Sequence, residues 1–285
     1  MIRHPDGLRC CVLAVQLLPV CQLISGRRGI ALQEITVQDR VKHWGLLGTL
    51  LWGALVAAVY VVVGSAVAGV YVGVTQSVLS PDDLSDALLN TQYDGMAISL
   101  STFATTLVCS LLIVLAVKLK RGSDLQQYLG LTMPSKRETG RWLMLFAGLL
   151  IVLDLFTYFL GKPIVPEFMW RIYSSIESRW ILWIALIVAA PLIEELFFRG
   201  FLLKGLSESP LGPAGAVVLT SAAWAVIHMQ YDLYGIGTIF LMGLVLGAAR
   251  IMTGSTILTI FLHSVANLVA TVETVIFLSF FSPAG

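Results

Sequence analysis

Residues 191–200 read PLIEELFFRG: two glutamates and an arginine set inside an otherwise apolar run. Extended outward to Trp180 and Leu203, the run gains no further charge. As a helix rising about 1.5 Å per residue it is long enough to cross a hydrocarbon core about 30 Å thick. The whole chain has the same character. Of its 285 residues 57% are hydrophobic and 12% charged, with a mean hydropathy of +0.86. Soluble domains carry about 25% charged residues, so a soluble core does not account for this composition. The fold class it predicts is all-α, a polytopic transmembrane helical bundle.

Six further runs complete a set of about seven spans: Trp44–Leu79, Met96–Val117, Trp142–Leu160, Leu211–His228, Leu233–Ala249 and Thr256–Phe280. The first is longer than one hydrocarbon core, so it tilts, protrudes, or breaks near Gly64, Gly69 and Gly73, whose spacing suggests close helix packing. The loop after it holds Asp82, Asp83, Asp86 and Asp94, and the next holds Lys118, Lys120, Arg121, Lys136, Arg137 and Arg141. With Arg27, Arg28, Arg40 and Lys42 ahead of the first span, the positive-inside rule predicts a cytoplasmic N-terminus in a plasma (inner) membrane. Residues 44–285 read as a single transmembrane domain and residues 1–43 as an N-terminal extension. Arg3 and Arg9 precede an apolar stretch, Cys10–Ile24, that loosely fits a signal peptide but lacks a convincing cleavage site.

The net charge of +1 offers no basic field for phosphates, which excludes a nucleic-acid partner. Cys10, Cys11, Cys21 and Cys109 show no CxxC spacing, so neither a disulfide framework nor a thiolate metal site is indicated. The partners implied are the lipid bilayer and a membrane-associated protein or peptide.

Ionisable residues inside a membrane cost a few kcal/mol each near the bilayer centre, roughly 2.5–3.5 on insertion scales, so each is a functional candidate. They are Asp154, Glu194, Glu195, Arg199, His228, His263 and Glu273. Glu195 and Arg199 stand at i and i+4 and can pair, whereas Glu194 points about 100° away with no partner in its own segment. His263 and Asn267 also stand at i and i+4, on one face of the last span. Each feature alone fits architecture equally well: a charge cluster between helices, a helix-end histidine, an interhelical hydrogen-bond pair. Together, two carboxylates, two histidines and an asparagine on three spans suggest hydrolysis of a carbonyl. Glu194, His228 and His263 could hold a divalent metal such as zinc that acidifies water, or could activate water without metal, with Asn267 serving a developing oxyanion. Both routes stay open. Asp154 reads as a helix-packing hydrogen bond and Glu273 as an interfacial group.

These residues resemble the motifs of the CAAX-protease and bacteriocin-processing (Abi) family, which includes the type II CAAX prenyl endopeptidases. EELFFR (194–199) resembles its EExxxR motif, WAVIH (224–228) its aromatic-to-histidine motif, and HSVAN (263–267) its HxxxN motif. The turn GAARIMTGS (247–255) is similar as well, and the likeness covers roughly residues 140–280. It implies an intramembrane endopeptidase whose transmembrane helices enclose a polar intramembrane cavity and in which Glu194 activates water with His228 assisting. His263 and Asn267 would stabilise the oxyanion, and Glu195, Arg199 and Trp224 would support the site. Trp224 stands where phenylalanine is commoner and keeps an aromatic wall. The eukaryotic branch acts on prenylated C-termini and bacterial relatives are linked to bacteriocin maturation or immunity, so an idle immunity or scaffold protein is the alternative. A proton-coupled transporter would call for inverted repeats, and none is evident in the sequence.

One expectation is geometric. Counted along the spans, His228 falls about 10 Å deeper than Glu194. A shared site therefore requires MQYDLYG (229–235) to dip into the bundle, where irregular backbone survives by lining a cavity.

Overall fold

The computed structural model describes residues 42–75 and 81–281. The expected extension over residues 1–43, with its signal-like run, lies almost wholly outside the described residues. Val41–Gly285 forms one compact unit. Its long helices are α1 (Leu46–Thr75), α3 (Gly95–Leu119), α5 (Lys136–Phe159), α7 (Arg179–Ser207), α8 (Gly212–Val226), α9 (Leu233–Thr253) and α10 (Thr256–Phe281), with short helices α2 (Pro81–Asn90), α4 (Leu125–Leu129) and α6 (Glu167–Ser174) between them. The described residues contain no strand.

Local chemistry sets these boundaries. The Asp94 carboxylate accepts from the Met96 and Ala97 amides and starts α3. Ser135 and Glu138 form a reciprocal capping box on α5. Asp232 caps α9 through the Gly235 amide, and Gly254, at φ 70°, ends it in the left-handed turn that a glycine adopts without strain.

The seven long helices alternate in direction, and contacts at both ends show it. At one end the Trp44 indole donates to Ala116 O at 2.9 Å, and the Thr256 amide donates to Gly130 O at 2.8 Å. At the other, the Gly95 amide donates to Ser175 Oγ at 2.8 Å and Lys162 pairs with Asp232 at 2.9 Å. Six of the helices are long and apolar enough to cross a membrane, and the chain is an integral membrane protein. The seventh, α8, is apolar but has only 15 residues, about 22 Å. It is the short one because the regular helix stops at Val226 and the chain covers the remaining distance to Asp232, where α9 starts, as irregular backbone.

Two expectations change. The glycine series does not break α1, which runs unbroken to Thr75, and a Cβ at Gly69 or Gly73 would meet nothing within 4 Å; of the three, Gly64 faces α3, where Ser101 Oγ donates to its carbonyl at 3.2 Å. The close approaches are elsewhere, where a Cβ at Gly53 would sit 2.8 Å from Leu202 and one at Gly205 would collide with Thr49. There each helix backbone receives a side chain of the other, while α1 packs most extensively on α3. Asp154, expected to make a packing hydrogen bond, makes none among the described residues; it lines a cavity together with Glu273.

Candidate functional site

The site is built on an irregular helix. α7 contains two π segments, Ala185–Ala189 and Leu196–Leu202, on either side of the stretch that carries Glu194 and Glu195. In the first, the Ala190 amide donates to Ala185 O, an i to i−5 bond. The next bond of that series would run from residue 191 to Leu186, but Pro191 has no N–H. Leu186 O is therefore unclaimed, and Asn267 Nδ2 donates to it at 2.7 Å. A proline in the motif segment thus orients an amide on α10. Single π turns of this kind recur at functional sites.

Glu195 and Arg199 are both fully buried and paired, with Arg199 Nη1 2.8 Å from Glu195 Oε1. Arg199 Nη2 also donates to Gly243 O at 3.3 Å, which ties α9 to the pair. Glu195 Oε1 accepts from His263 Nδ1 at 3.0 Å. A carboxylate only accepts, so the proton is assigned to Nδ1, and Nε2 of the neutral ring is bare. His228 is tied the same way: its Nδ1 lies 2.8 Å from Trp224 O, an acceptor, which leaves Nε2 bare as well.

Both bare nitrogens face one atom. Glu194 Oε2 lies 4.0 Å from His228 Nε2 and 4.0 Å from His263 Nε2. Trp224 Nε1 donates to the same oxygen at 2.6 Å. The Trp224 ring is edge-on to both imidazoles, at 5.3 and 5.1 Å between centroids, and carries the Arg199 guanidinium 4.5 Å from its own centroid. Trp142, Phe146, Phe198 and Leu262 pack around it.

The expected depth mismatch is absent for a traceable reason. α7 runs on to Ser207 rather than ending at Leu203, and α8 begins at Gly212. Glu194 then stands about 20 Å from that end and His228 about 24 Å. Beyond His228 the backbone is irregular up to α9, and Gln230, Tyr231 and Asp232 line the same cavity as Asn267.

That cavity, about 460 Å³, lies between α5, α9 and α10. Leu150, Leu153, Ile239 and Met242 give it apolar walls, and Asp154 and Glu273 project carboxylates into them. At its rim, Lys162 holds the Asp232 carboxyl below the usual carboxylate range, chiefly through their hydrogen bond.

Sequence reasoning missed three contributors. Tyr231 stacks on His228 at 6.3 Å. Tyr60 on α1 and Tyr231 both lie within electrostatic reach of Glu194. The Leu186 carbonyl was invisible as well, although Pro191 beside the motif was a usable signal for it.

The donor set was tested for zinc. Bond lengths of about 2.0–2.1 Å at tetrahedral angles put ligand atoms roughly 3.4 Å apart. At 4.0 Å from Glu194 Oε2 to each Nε2, a metal would have to lie almost on the line between them. Among the described residues no group of three or more His, Cys, Asp or Glu is spaced to hold a metal ion. The residues as arranged do not fit one.

Residues 176–269 match the family model described as type II CAAX prenyl endopeptidase Rce1-like. The matched segment is about a third of the chain, and there the chain is similar to that family. The matched segment contains all three motifs, with Glu194, Glu195, Arg199, Trp224, His228, His263 and Asn267, while Tyr60, Trp142, Phe146 and the cavity carboxylates Asp154 and Glu273 lie outside it. An uncharacterized 24.3 kDa protein of Escherichia coli is 30% identical over 134 residues, covering 44% of this chain and 60% of that protein. No solved structure matches the chain.

Proposed function

We propose that this Rce1-like protein is an intramembrane endopeptidase that hydrolyses a peptide bond of a membrane-associated protein or peptide with water activated by Glu194. The observation that carries the reading is the convergence of the Glu194 carboxylate with two imidazole nitrogens, each freed by a bond at its other nitrogen.

A water between these acceptors has two protons to give, one to Glu194 and one to a bare Nε2. Its oxygen is then directed at the substrate carbonyl carbon, and Glu194 takes the proton as the C–O bond forms. The carbonyl oxygen becomes an oxyanion. Asn267 Nδ2 has a second N–H beyond the one given to Leu186, and that proton serves the oxyanion. His263 can donate from Nε2 only as the doubly protonated ring, whose charge would lie against Glu195. Collapse breaks the C–N bond, and the leaving amine takes the proton from Glu194, with His228 assisting the transfer. Glu195 and Arg199 hold His263 and do not touch substrate. The 460 Å³ cavity beside Asn267 provides room for an extended peptide segment entering between α5 and α10.

The basic residues around the α3–α5 connection support, by the positive-inside rule, a reading in which that end of the bundle and the N-terminus are cytoplasmic and the membrane is a plasma (inner) membrane. The proposed substrate is a membrane-associated protein or peptide.

The test compares protein termini in membranes from cells expressing wild-type protein or Glu194→Gln at equal abundance. New termini present with the wild type and absent with the variant establish the protease. Loss of a general base costs about 10²–10⁴-fold in rate. Identical termini from two folded proteins would overturn the proposal.

A further inference from the structure

We infer that Trp224 is a positioning residue: its indole N–H fixes the Glu194 carboxylate between the two imidazoles, and the Glu195–Arg199 pair reaches Glu194 through this ring. The inference rests on the hydrolytic reading of Glu194.

Glu194 Oε2, His228 Nε2 and His263 Nε2 are all acceptors when both imidazoles are neutral, and all three face one another. Such a cluster repels itself. Among the described residues the Trp224 N–H is the donor within hydrogen-bond distance of Glu194, and at 2.6 Å it is short even for a bond to an ionised group. It holds Oε2, which leaves the rest of the carboxylate for the water.

The ring is itself held on every side. It is 2% exposed, its carbonyl takes the His228 proton, and both imidazoles stand edge-on to it. The Arg199 guanidinium lies 4.5 Å from its centroid. A cation over an indole face draws electron density from the ring and makes the N–H a stronger donor. This gives the arginine of the EExxxR motif a path to Glu194 that skips the neighbouring glutamate. A phenylalanine would fill the same slot and keep the wall, but could not donate.

The experiment replaces Trp224 with 3-benzothienylalanine, which puts sulfur in place of N–H at nearly the same shape, and separately makes Trp224→Phe. The first readout needs no substrate. The ultraviolet resonance Raman signature of the Trp224 N–H, taken as wild type minus Trp224→Phe in purified full-length protein, should report a strong hydrogen bond. It should weaken in Glu194→Ala. The second readout is cleavage of a substrate found by the termini comparison. Removing a hydrogen bond to a charged group should lower kcat about ten- to a hundredfold. KM should stay within about twofold, since Trp224 does not contact substrate, and the thermal midpoint of the benzothienylalanine protein should match wild type. An N–H signature indifferent to Glu194→Ala overturns the inference, as does wild-type kcat in the benzothienylalanine protein. If wild type cleaves nothing, the hydrolytic reading fails on its own account and the Raman result still decides whether the contact exists.

Discussion

The bundle holds two pairs of carboxylates, and they are treated in opposite ways. Glu194 and Glu195, adjacent on α7, are enclosed by donors: Arg199, His263 and Trp224 meet them within about 3 Å. Asp154 on α5 and Glu273 on α10 are half-buried, line the 460 Å³ cavity and have no hydrogen-bond partner among the described residues. The contrast follows from what surrounds each group. Glu195, with no accessible surface, has to bring its own counter-charge, and Glu194, partly exposed like the cavity pair, is held by the Trp224 N–H, whereas a carboxylate facing a cavity can use whatever enters.

The sharpest way to break that contrast is to remove Arg199. Arg199→Met leaves Glu195 buried without its cation and should destabilise the protein by about 3–5 kcal/mol, read from unfolding in detergent. Wild-type stability in that variant would make the network ornamental. Next in size is a split between stability and activity. Glu194→Gln keeps an acceptor for Trp224 and should change stability by less than about 1 kcal/mol while cleavage is lost. A collapse of the fold comparable to Arg199→Met would assign both glutamates to architecture.

Asp154→Asn and Glu273→Gln should each leave unfolding within about 1 kcal/mol of wild type, or raise stability slightly, because no bond is broken. A loss of several kcal/mol would reveal partners that the contrast denies. Chelation makes a further check on the active pair: with Glu194 4.0 Å from each imidazole nitrogen, dialysis against a chelator should leave cleavage unchanged. Restoration of activity by zinc alone would refute the metal-free reading.

The smallest effect concerns the cavity rim. Lys162 depresses the Asp232 carboxyl, so the stability this pair contributes is present above the unfolded value of about 3.9 and is lost as pH falls through the lower folded value. The side chains are 38% and 61% exposed, so the contribution is a few tenths of a kcal/mol after screening. Asp232→Asn preserves the cap on α9 and removes only the ion pair. The difference between the two proteins should be measurable at pH 7, shrink once the pH falls below the unfolded value of about 3.9, and vanish below the folded one.

Much of this was legible in the residue string. The apolar runs located the long helices, and the i, i+4 spacings put Glu195 with Arg199 and His263 with Asn267 on their faces. The glycine series on α1 misled because glycine spacing suggests packing only if a neighbour is there, and Gly69 and Gly73 face open space. The depth of His228 misled because it depended on the end of α7, and four apparently extramembrane residues proved to be helix. Trp224 looked like a wall because sequence shows that a ring is aromatic and does not show where its N–H points.

Sequence by itself determined the solvent and the element type: with 12% charged residues and long uncharged runs, only helices that satisfy their own backbone in a bilayer were available. It also determined which few side chains had to find partners, since each charge in those runs carries an insertion cost. Only the tertiary structure decided which partners they found. His263 lies 68 positions from Glu195 and Trp224 lies 30 from Glu194. Hydrogen bonds act over about 3 Å, so a choice made across such separations depends on how α7, α8 and α10 pack, on where α7 departs from a regular helix, and on which way each side chain then points.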